Sequence, residues 1–599
     1  MKPTSEILER INRCSYAHKD GVFTRLYRYL LREDVYFMAY QKLYANTGAL
    51  TKGTNDDTAD GFGKEYVDSI INDLRNGSYH TTPLRRIYIP KRNGKMRPLS
   101  IPSFRDKLLQ EVIRSFLEVI YEPTFNDWSH GFRPNRSCHT ALKQVSHDFA
   151  GVPWFIEGDI HACFDCIDHD VLLTILSRKI KDSKFLNIIR AFLKTGYMED
   201  WTYNNTYSGT PQGGIISPIL ANIYLNELDN KVKEIKERFE QSNSTKRPRP
   251  NKEYHSIANR CTVISKKISL MPLGDERDAA IAELKELKQK MFSLPRSAYT
   301  DKGIHYVRYA DDWLIGVKGS KADCKTIKEE IKVFLQTELK LELSEEKTLI
   351  THSSNRVRFL GYDICVSRNQ RVKGFRLKSG KWIKKRTLLN HVGLLTPLHD
   401  RIMDFMFKKK AIIQKDTGEI RAVHRNELLG QPDADIVRTY NSEIRGILNF
   451  YCLSGNYARL EYFTYLMEWS CLCTLARKHD KGIKEIKNMY RDGHGWSIPY
   501  GKKNPKRISL VNIRTHHQMF YSDNIREYKF HSYKSSLWKR MQSGYCELCG
   551  VKMERPGVVH VVSKLKALGN EPWEMLMKKM RRKTLYVCQP CHKMIHQIG

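Results

Sequence analysis

Hydrophobic residues recur at two different spacings in the first 370 residues, which predicts helices interleaved with strands. Apolar residues between 67 and 74 follow helical spacing and stop at Asn76-Gly77, where a helix is expected to end. Residues 86–90 alternate like a strand and run into residues 91–94, whose Asn-Gly pair favours a hairpin. The pattern therefore predicts mixed α+β structure in this part of the chain.

Three short apolar runs end at or meet at carboxylates. Residues 154–158 predict a buried strand that is followed by Asp159, and residues 306–309 and 313–317 predict two strands joined through Ala310-Asp311-Asp312. Asp is common in ordinary turns, but packing gives little reason for adjacent acids between apolar strands. Carboxylates gathered in this way can hold two Mg²⁺ about 3.5–4 Å apart, as nucleotidyl transfer requires.

The pattern changes twice farther along the chain. Residues 230–290 are charged and helical, which indicates an insertion between core elements. After about residue 371 the pattern is mostly helical, with apolar residues at i+3 and i+4 steps between 437 and 451. Residues 541–599 form a short, basic segment that carries cysteines.

The charge of the chain points to a polyanionic partner. Its 599 residues include 101 Lys+Arg against 66 Asp+Glu, a formal net charge of +35, and 41% of them are hydrophobic. That apolar content excludes wholesale disorder, and the length indicates several domains. Nucleic acid is the first candidate partner and an anionic membrane the second. No apolar run approaches the roughly 20 residues of a membrane span, and the basic residues are spread over the whole chain, so we expect no membrane association.

Cysteine spacing singles out the C-terminal segment. Ten of the 14 cysteines are scattered, as is typical of reduced thiols. The other four form two Cys-x-x-Cys pairs, Cys546/Cys549 and Cys588/Cys591. Four thiolates can bind one tetrahedral Zn²⁺.

Seven motifs in one order resemble the sequence blocks of group II intron-encoded reverse transcriptase/maturases. Tyr309-Ala310-Asp311-Asp312 resembles the Tyr-x-Asp-Asp box of reverse transcriptases. The other blocks lie at residues 95–102, 130–137, 158–165, 209–218, 343–348 and 359–362. Residues 375–510 resemble the maturase domain, or thumb, of the same family. The basic and aromatic residues of this segment could clamp an RNA duplex. The alternative for the aromatic residues is that they form the core between helices.

The resemblance implies an α+β multidomain protein with a right-hand polymerase fold. We expect fingers and palm with an antiparallel sheet, an α-helical thumb or maturase domain, and a small zinc-binding ββα domain of the HNH type. The implied divisions are an RNA-binding N-terminal extension (1–80), fingers and palm (81–370) with a helical insertion (230–300), thumb and maturase domain (371–510), a DNA-binding linker region (511–540) and the HNH-like domain (541–599).

The resemblance also implies roles for individual polymerase residues. Asp159 and Asp311 match the metal-bridging pair, and Asp312 is the third acid. Phe164 matches the bulky gate against the ribose 2′-hydroxyl, and an ordinary core phenylalanine is the less favoured alternative. The remaining matches are Lys91, Arg97, Gln212 and Lys347 as dNTP contacts, and Phe359, Leu360, Gly361 and Tyr362 as the primer grip. Generic surface charge or core packing is the alternative for several of these.

The tail departs from the HNH pattern at one position. In that family a strand ends in a His-His pair, of which the first binds the metal and the second is the general base. Here His560 takes the first position and Val561 the second, and valine cannot accept a proton. We expect a zinc fold that binds DNA with weak or absent cleavage, in which His560, His592 and His596 could hold a second divalent ion.

The implied function is that of an RNA-directed DNA polymerase encoded by a group II intron. It would bind the intron RNA as precursor and lariat, assist splicing, and copy the RNA into cDNA at a DNA target during retrohoming. The implied cofactors are two Mg²⁺ and one structural Zn²⁺, and the substrates are dNTPs and an RNA template–DNA primer duplex. An RNA-binding splicing factor with a decayed polymerase is one alternative, against which the intact acids argue. A retron or defence-type reverse transcriptase is the other.

The expected location is the bacterial cytoplasm, as a nucleoid-associated ribonucleoprotein, with an organelle as the alternative. The sequence leaves the oligomeric state open.

Overall fold

The computed structural model of the protein describes residues 3–46, 48–90, 94, 96–199, 202–204, 206–211, 213–241, 249–272, 274–294, 297–298, 302–369, 371–377, 379–386, 389–493, 495–501, 506–516 and 536–598. The predicted nucleotide contacts Lys91 and Gln212 lie outside these residues, as does most of the predicted linker at 511–540. Within the described ranges, every helix is too short or too polar to cross a membrane.

The N-terminal region packs its helices against the first long helix of the next region. Its elements are α1 (Thr4–Ala17), α2 (Tyr27–Leu30), α3 (Glu33–Leu43), β1 (Phe62–Gly63) and α4 (Lys64–Asn76). The apolar residues that predict α4 are buried, and Gly77 ends the helix with a left-handed φ of 73°.

The hairpin that the alternating pattern predicts comes next, and two helices follow it. The elements are β2 (Leu84–Pro90), β3 (Met96–Ile101), α5 (Phe104–Tyr121) and α6 (Cys138–Asp148). Strands β2 and β3 pair from Arg85↔Ile101 to Pro90↔Met96. Helix α5 begins where the side chain of Ser103 accepts a hydrogen bond from the Asp106 N–H.

An antiparallel sheet lies at the centre of the next region, and we call it the palm sheet. Its strands are ordered β11-β4-β10-β9. The elements of this region are β4 (Trp154–Gly158), α7 (Cys163–Cys166), α8 (His169–Lys179), α9 (Ser183–Lys194), β5 (Tyr197–Glu199), β6 (Thr202–Asn204), α10 (Ser217–Gln241), β7 (Arg249–Pro250), α11 (Lys252–Leu270), α12 (Asp275–Ser293), β8 (Ser297–Ala298), β9 (Gly303–Tyr309), β10 (Asp312–Lys318), α13 (Lys321–Glu338) and β11 (Ile350–His352). Helices α11 and α12 form the predicted insertion and are mostly exposed.

Residues after 356 combine helices with short hairpins. The elements are β12 (Val357–Phe359), β13 (Tyr362–Val366), β14 (Val372–Arg376), β15 (Trp382–Arg386), β16 (Val392–Leu395), α14 (Met403–Lys408), β17 (Ile412–Gln414), β18 (Ile420–Ala422), α15 (Asp433–Phe450), α16 (Leu460–His479), α17 (Ile483–Met489), β19 (Arg491–Asp492), β20 (Gly495–Tyr500) and β21 (Lys506–Ser509). The apolar spacing predicts α15, but the hairpin strands are too short to produce a recognisable period of two.

The tail forms a small sheet flanked by helices. Its elements are α18 (Ser536–Ser543), β22 (Val558–Val561), α19 (Pro572–Met580), β23 (Thr584–Val587) and α20 (Gln589–Ile598). Strand β1 of the N-terminal region completes this sheet, because Phe62 pairs with Val559 and Gly63 with Val558. The Phe62 ring stacks on Tyr40 with a centroid distance of 3.8 Å, so the added strand is anchored in the N-terminal core.

A buried ion pair joins the palm sheet to α10. Arg308 on β9 and Asp229 on α10 are both fully buried, and Nη2 of the arginine lies 2.7 Å from Oδ2 of the aspartate. Arg308 also donates to Asn222 Oδ1, to Ser129 Oγ and to the Ala310 carbonyl oxygen. Burial opposes the charge of Arg308, but Asp229 outweighs it and raises the arginine pKa above its ordinary value. The full set of partners satisfies the buried charge.

Replacing Arg308 with methionine should destabilise this region strongly. Asp229 would remain buried without its partner, which costs about 3–5 kcal/mol in free energy of unfolding. Urea unfolding monitored by tryptophan fluorescence measures the loss.

The exposed pair Arg178–Glu227 provides the matched control. We expect Arg178→Met to change the free energy of unfolding by less than about 1 kcal/mol. Arg308→Met combined with Asp229→Leu should recover part of the loss, since it removes both charges. An Arg308→Met protein as stable as wild type would contradict this account of the ion pair.

Candidate active site and metal-binding clusters

The turn between β9 and β10 carries the two adjacent acids. Asp312 pairs with Tyr309 across the hairpin, and Ala310 in the turn has a left-handed φ of 58°. The backbone of Gly131 lies directly against this turn, where an added Cβ would stand 2.4 Å from the Ala310 nitrogen. Only glycine fits there, so the block that contains Gly131 supports the turn that presents Asp311.

The register of the palm sheet brings a third acid to this turn. Trp313 pairs with Gly158 across β10 and β4, so Asp312 and Asp159 lie at the same end of neighbouring strands. Burial, and then the charges of Asp311 and Asp159, raise the pKa of Asp312 to about 6. Burial also raises the pKa of Asp311. The predicted acids therefore form one crowded, partly desolvated group that a cation would stabilise.

Two basic residues face the acids. Lys347 Nζ lies 2.5 Å from Asp159 Oδ2, and the Ser344 N–H donates to the Asp159 carbonyl oxygen over 2.9 Å. Burial raises the pKa of Asp311, and the positive charge of Arg97 on β3 acts against that rise. Lys347 and Arg97 thus bring positive charge close to the acids, where contacts to a dNTP are predicted. Lys91 is outside the described residues.

Phe164 is half-buried and meets a second aromatic ring. The rings of Phe164 and Phe132 make an edge-to-face contact with centroids 6.3 Å apart. The Thr210 N–H donates to the Phe164 carbonyl oxygen over 2.6 Å, which links α7 to the turn before Gln212. Phe132 is 55% exposed and was not among the predicted site residues. The sequence feature that could have identified Phe132 is its position as an aromatic residue between a glycine and Arg133 in a loop.

The residues beside Gln212 lie against the first hairpin. Gly213 has a φ of 117°, and an added Cβ would stand 2.3 Å from the Ser100 carbonyl oxygen of β3. Gly213 therefore packs closely on the strand that carries Arg97.

The predicted primer grip is a turn held by α15. Phe359 and Tyr362 are buried, whereas Leu360 and Gly361 form a left-handed turn that is half-exposed. The Tyr451 hydroxyl donates to the Gly361 carbonyl oxygen over 3.3 Å. Within the predicted primer grip, Leu360 and Gly361 are therefore the accessible residues, and the two aromatics serve the core.

The four predicted zinc ligands come together in the tail. The sulfur atoms of Cys546, Cys549, Cys588 and Cys591 all lie within 4.8 Å of one another, and Cys549 Sγ is 3.9 Å from Cys588 Sγ. Sulfurs around a tetrahedral zinc with bonds of about 2.3 Å are roughly 3.8 Å apart. Burial opposes ionisation of Cys546, but backbone N–H groups outweigh it and lower its pKa to about 7. The donor set therefore fits a structural Zn²⁺.

The three histidines of the tail also meet, and an unpredicted residue joins them. His560 Nδ1, His592 Nε2 and His596 Nε2 lie 3.0, 3.1 and 2.7 Å from the carboxylate oxygens of Asp60. Burial opposes ionisation of Asp60, but the imidazoles of His560 and His592 lower its pKa well below the usual range. The Val561 side chain is buried, and its N–H donates to Asp60 Oδ1 over 2.7 Å.

Three family matches cover most of the chain. Residues 89–245 and 283–364 match the reverse transcriptase (RNA-dependent DNA polymerase) family, and residues 393–517 match the type II intron maturase family. Residues 546–592 match the AI2M/AI1M-like, HNH endonuclease family. These matches and the mixed architecture confirm the predicted fold class.

A full-length relative confirms the resemblance. The group II intron-encoded protein LtrA of Lactococcus lactis subsp. cremoris is 50% identical over 608 aligned residues, covering 100% of both chains. The putative COX1/OXI3 intron 2 protein of Saccharomyces cerevisiae is 32% identical over 98% of this chain and 68% of its own length. A solved chain of a partial Cas6-RT-Cas1–Cas2 complex is 16% identical with a TM-score of 0.26 over 52% of this chain and 43% of its own. The protein belongs to the group II intron-encoded proteins, as a reverse transcriptase and maturase with an HNH-type tail.

Proposed function

We propose that Asp159, Asp311 and Asp312 hold two Mg²⁺ with which the protein copies its intron RNA into cDNA at a DNA target. The observation that carries this proposal is the convergence of the three acids at the Ala310 turn, opposite Lys347 and Arg97. When bound, Mg²⁺ activates the primer 3′-oxygen and neutralises the leaving pyrophosphate.

The surrounding side chains position the substrate. Arg97 and Lys347 carry the charge that a triphosphate needs, and Lys91 and Gln212 are proposed to join them. Phe164 pairs with the ring of Phe132, and it directly follows Cys163, whose thiol feels the charges of Asp311 and Asp159. This position supports exclusion of the ribose 2′-hydroxyl by the aromatic pair. The Leu360-Gly361 turn would contact the primer.

The proposed RNA surface includes one face of α16. Tyr440 and Tyr451 are buried, so they serve the core of the maturase region. Tyr462 and Tyr465 are about half-exposed, and their rings are nearly parallel with centroids 6.4 Å apart. Exposed aromatics on a basic protein suit stacking against unpaired bases, which supports binding of the intron RNA.

The tail is proposed to bind target DNA without cutting it. Val561 occupies the position of the general base, and its side chain is buried and apolar. Such a protein would act where its RNA and its target DNA meet, which is consistent with a nucleoid-associated ribonucleoprotein in a bacterial cytoplasm.

Replacing both turn acids, in Asp311→Ala with Asp312→Ala, should abolish cDNA synthesis. A bound metal contributes several kcal/mol to the transition state, so we expect the rate to fall by about a thousandfold or more. Primer extension on an RNA template with Mg²⁺ measures the loss, and splicing of the intron RNA should be retained.

Asp416→Asn is the matched control, because Asp416 is an exposed acid in the turn between β17 and β18. It should leave both activities unchanged. Loss of splicing together with cDNA synthesis in the double variant would point to misfolding or to a different division of labour.

Replacing Phe164 with alanine should relax the choice of sugar. We expect the ratio of kcat/KM for dNTP over rNTP to fall by about a hundredfold, the scale on which a pocket rejects an added hydroxyl. Single-nucleotide incorporation measures it, and Phe164→Tyr should keep the preference. An unchanged ratio in Phe164→Ala would assign the residue to the core.

The purified ribonucleoprotein should fail to nick its DNA target with Mg²⁺ present, because Val561 cannot activate water. The same preparation should extend a target that already carries the nick, since that substrate supplies the 3′-hydroxyl. Robust cleavage of the intact target that is lost on chelation would overturn the proposed loss of nuclease activity.

A further inference from the structure

A carboxylate from the N-terminal region lies inside the histidine cluster of the tail. Asp60 is 13% exposed, and its two oxygens contact imidazole nitrogens on β22 and on two successive turns of α20. The backbone holds it there, because the Gly61 N–H donates to the Val559 carbonyl oxygen over 3.0 Å and β1 follows at once. The N-terminal region and the tail therefore meet at this carboxylate.

Among the described residues, the ring nitrogens of His560 make no well-aligned hydrogen bond, even though Asp60 lies beside the ring. His560 is 5% exposed, and its Nδ1 lies 3.0 Å from Asp60 Oδ1. Trp573 packs edge-to-face against the ring with a centroid distance of 5.0 Å. A buried imidazole of this kind needs a partner, and a metal ion would supply one.

We propose that Asp60, His560, His592 and His596 bind one Zn²⁺ that fastens the N-terminal region to the tail. All four ligand atoms lie within 4.8 Å of one another. Around a tetrahedral zinc with bonds of about 2.0–2.1 Å, neighbouring ligand atoms are roughly 3.3 Å apart. The observed contacts of 2.7–3.1 Å would open by only a few tenths of an ångström.

The ligand chemistry favours zinc over magnesium. Three imidazoles and one carboxylate suit Zn²⁺, whereas Mg²⁺ prefers oxygen ligands and retains several waters. The resemblance to HNH domains implies only the histidines, and a nuclease metal needs an open position for phosphate or water. Asp60 takes that fourth position, so the site is closed and structural.

The ion would act across a very long stretch of chain. It joins residues from opposite ends of the sequence, and cross-links that close long loops restrict the unfolded chain most. The contact between β1 and β22 aligns the ligands, and the ion locks that contact. This inference does not depend on the polymerase chemistry.

Zinc analysis of the purified full-length protein tests the proposal. We expect about two zinc ions per chain in the wild type, one for the four cysteines and one for this site. Asp60→Ala and His596→Ala should each retain about one. Asp56→Ala is the matched control, because Asp56 is an exposed acid of the same loop that pairs with the exposed Lys52. It should retain both ions.

Cobalt substitution isolates the second site. In a Cys549→Ser, Cys588→Ser background we expect the visible absorption of tetrahedral Co²⁺, and adding Asp60→Ala should abolish it. Asp60→His, which supplies another imidazole, should retain it. Primer extension by Asp60→Ala verifies that the variant is folded.

Two results would overturn the proposal. One is a wild type with a single zinc ion whose content does not change in Asp60→Ala. The other is loss of the second ion in His596→Ala but not in Asp60→Ala, which would mean that the histidines alone hold it. A second zinc that depends on Asp60, together with a lower melting temperature in Asp60→Ala than in Asp56→Ala, would support it.

Discussion

Arg308 makes five hydrogen bonds in a fully buried setting, and the position of the catalytic turn depends on where they go. Asp229 takes two of them and fixes the arginine against α10, while the Ala310 carbonyl oxygen takes a third. A left-handed alanine is strained, and the arginine holds that strained turn in place. The metal-binding geometry proposed for Asp311 therefore depends on a fully buried ion pair.

The same region shows how a basic protein concentrates negative charge where it is needed. Burial and mutual repulsion raise the pKa of Asp311 and Asp312, so the acids alone are an unfavourable group. Lys347 and Arg97 offset part of that repulsion, and divalent ions would offset the rest. Relief of the repulsion among the acids thus contributes to their affinity for divalent metal ions.

The two ends of the chain form one structural unit. Strand β1 extends the sheet of the tail, Phe37 packs against Trp538 with centroids 4.8 Å apart, and Asp60 enters the histidine cluster. The tail is therefore attached to the region in front of the fingers through sheet, core and charge together.

Local patterns were enough to predict α4, α15 and three of the four palm strands, because periodicity is a local property. Motif spacing likewise singled out the three acids and the four cysteines that the structure brings together. The structure places Lys347 against Asp159, and it pairs Phe164 with the ring of Phe132. The short hairpins after residue 371, the partner of Arg308 and the exposure of Phe132 came only from the tertiary structure. So did the entry of Asp60 into the histidine cluster. Contacts between distant residues leave no periodic signal, and only the packed chain decides which buried groups meet.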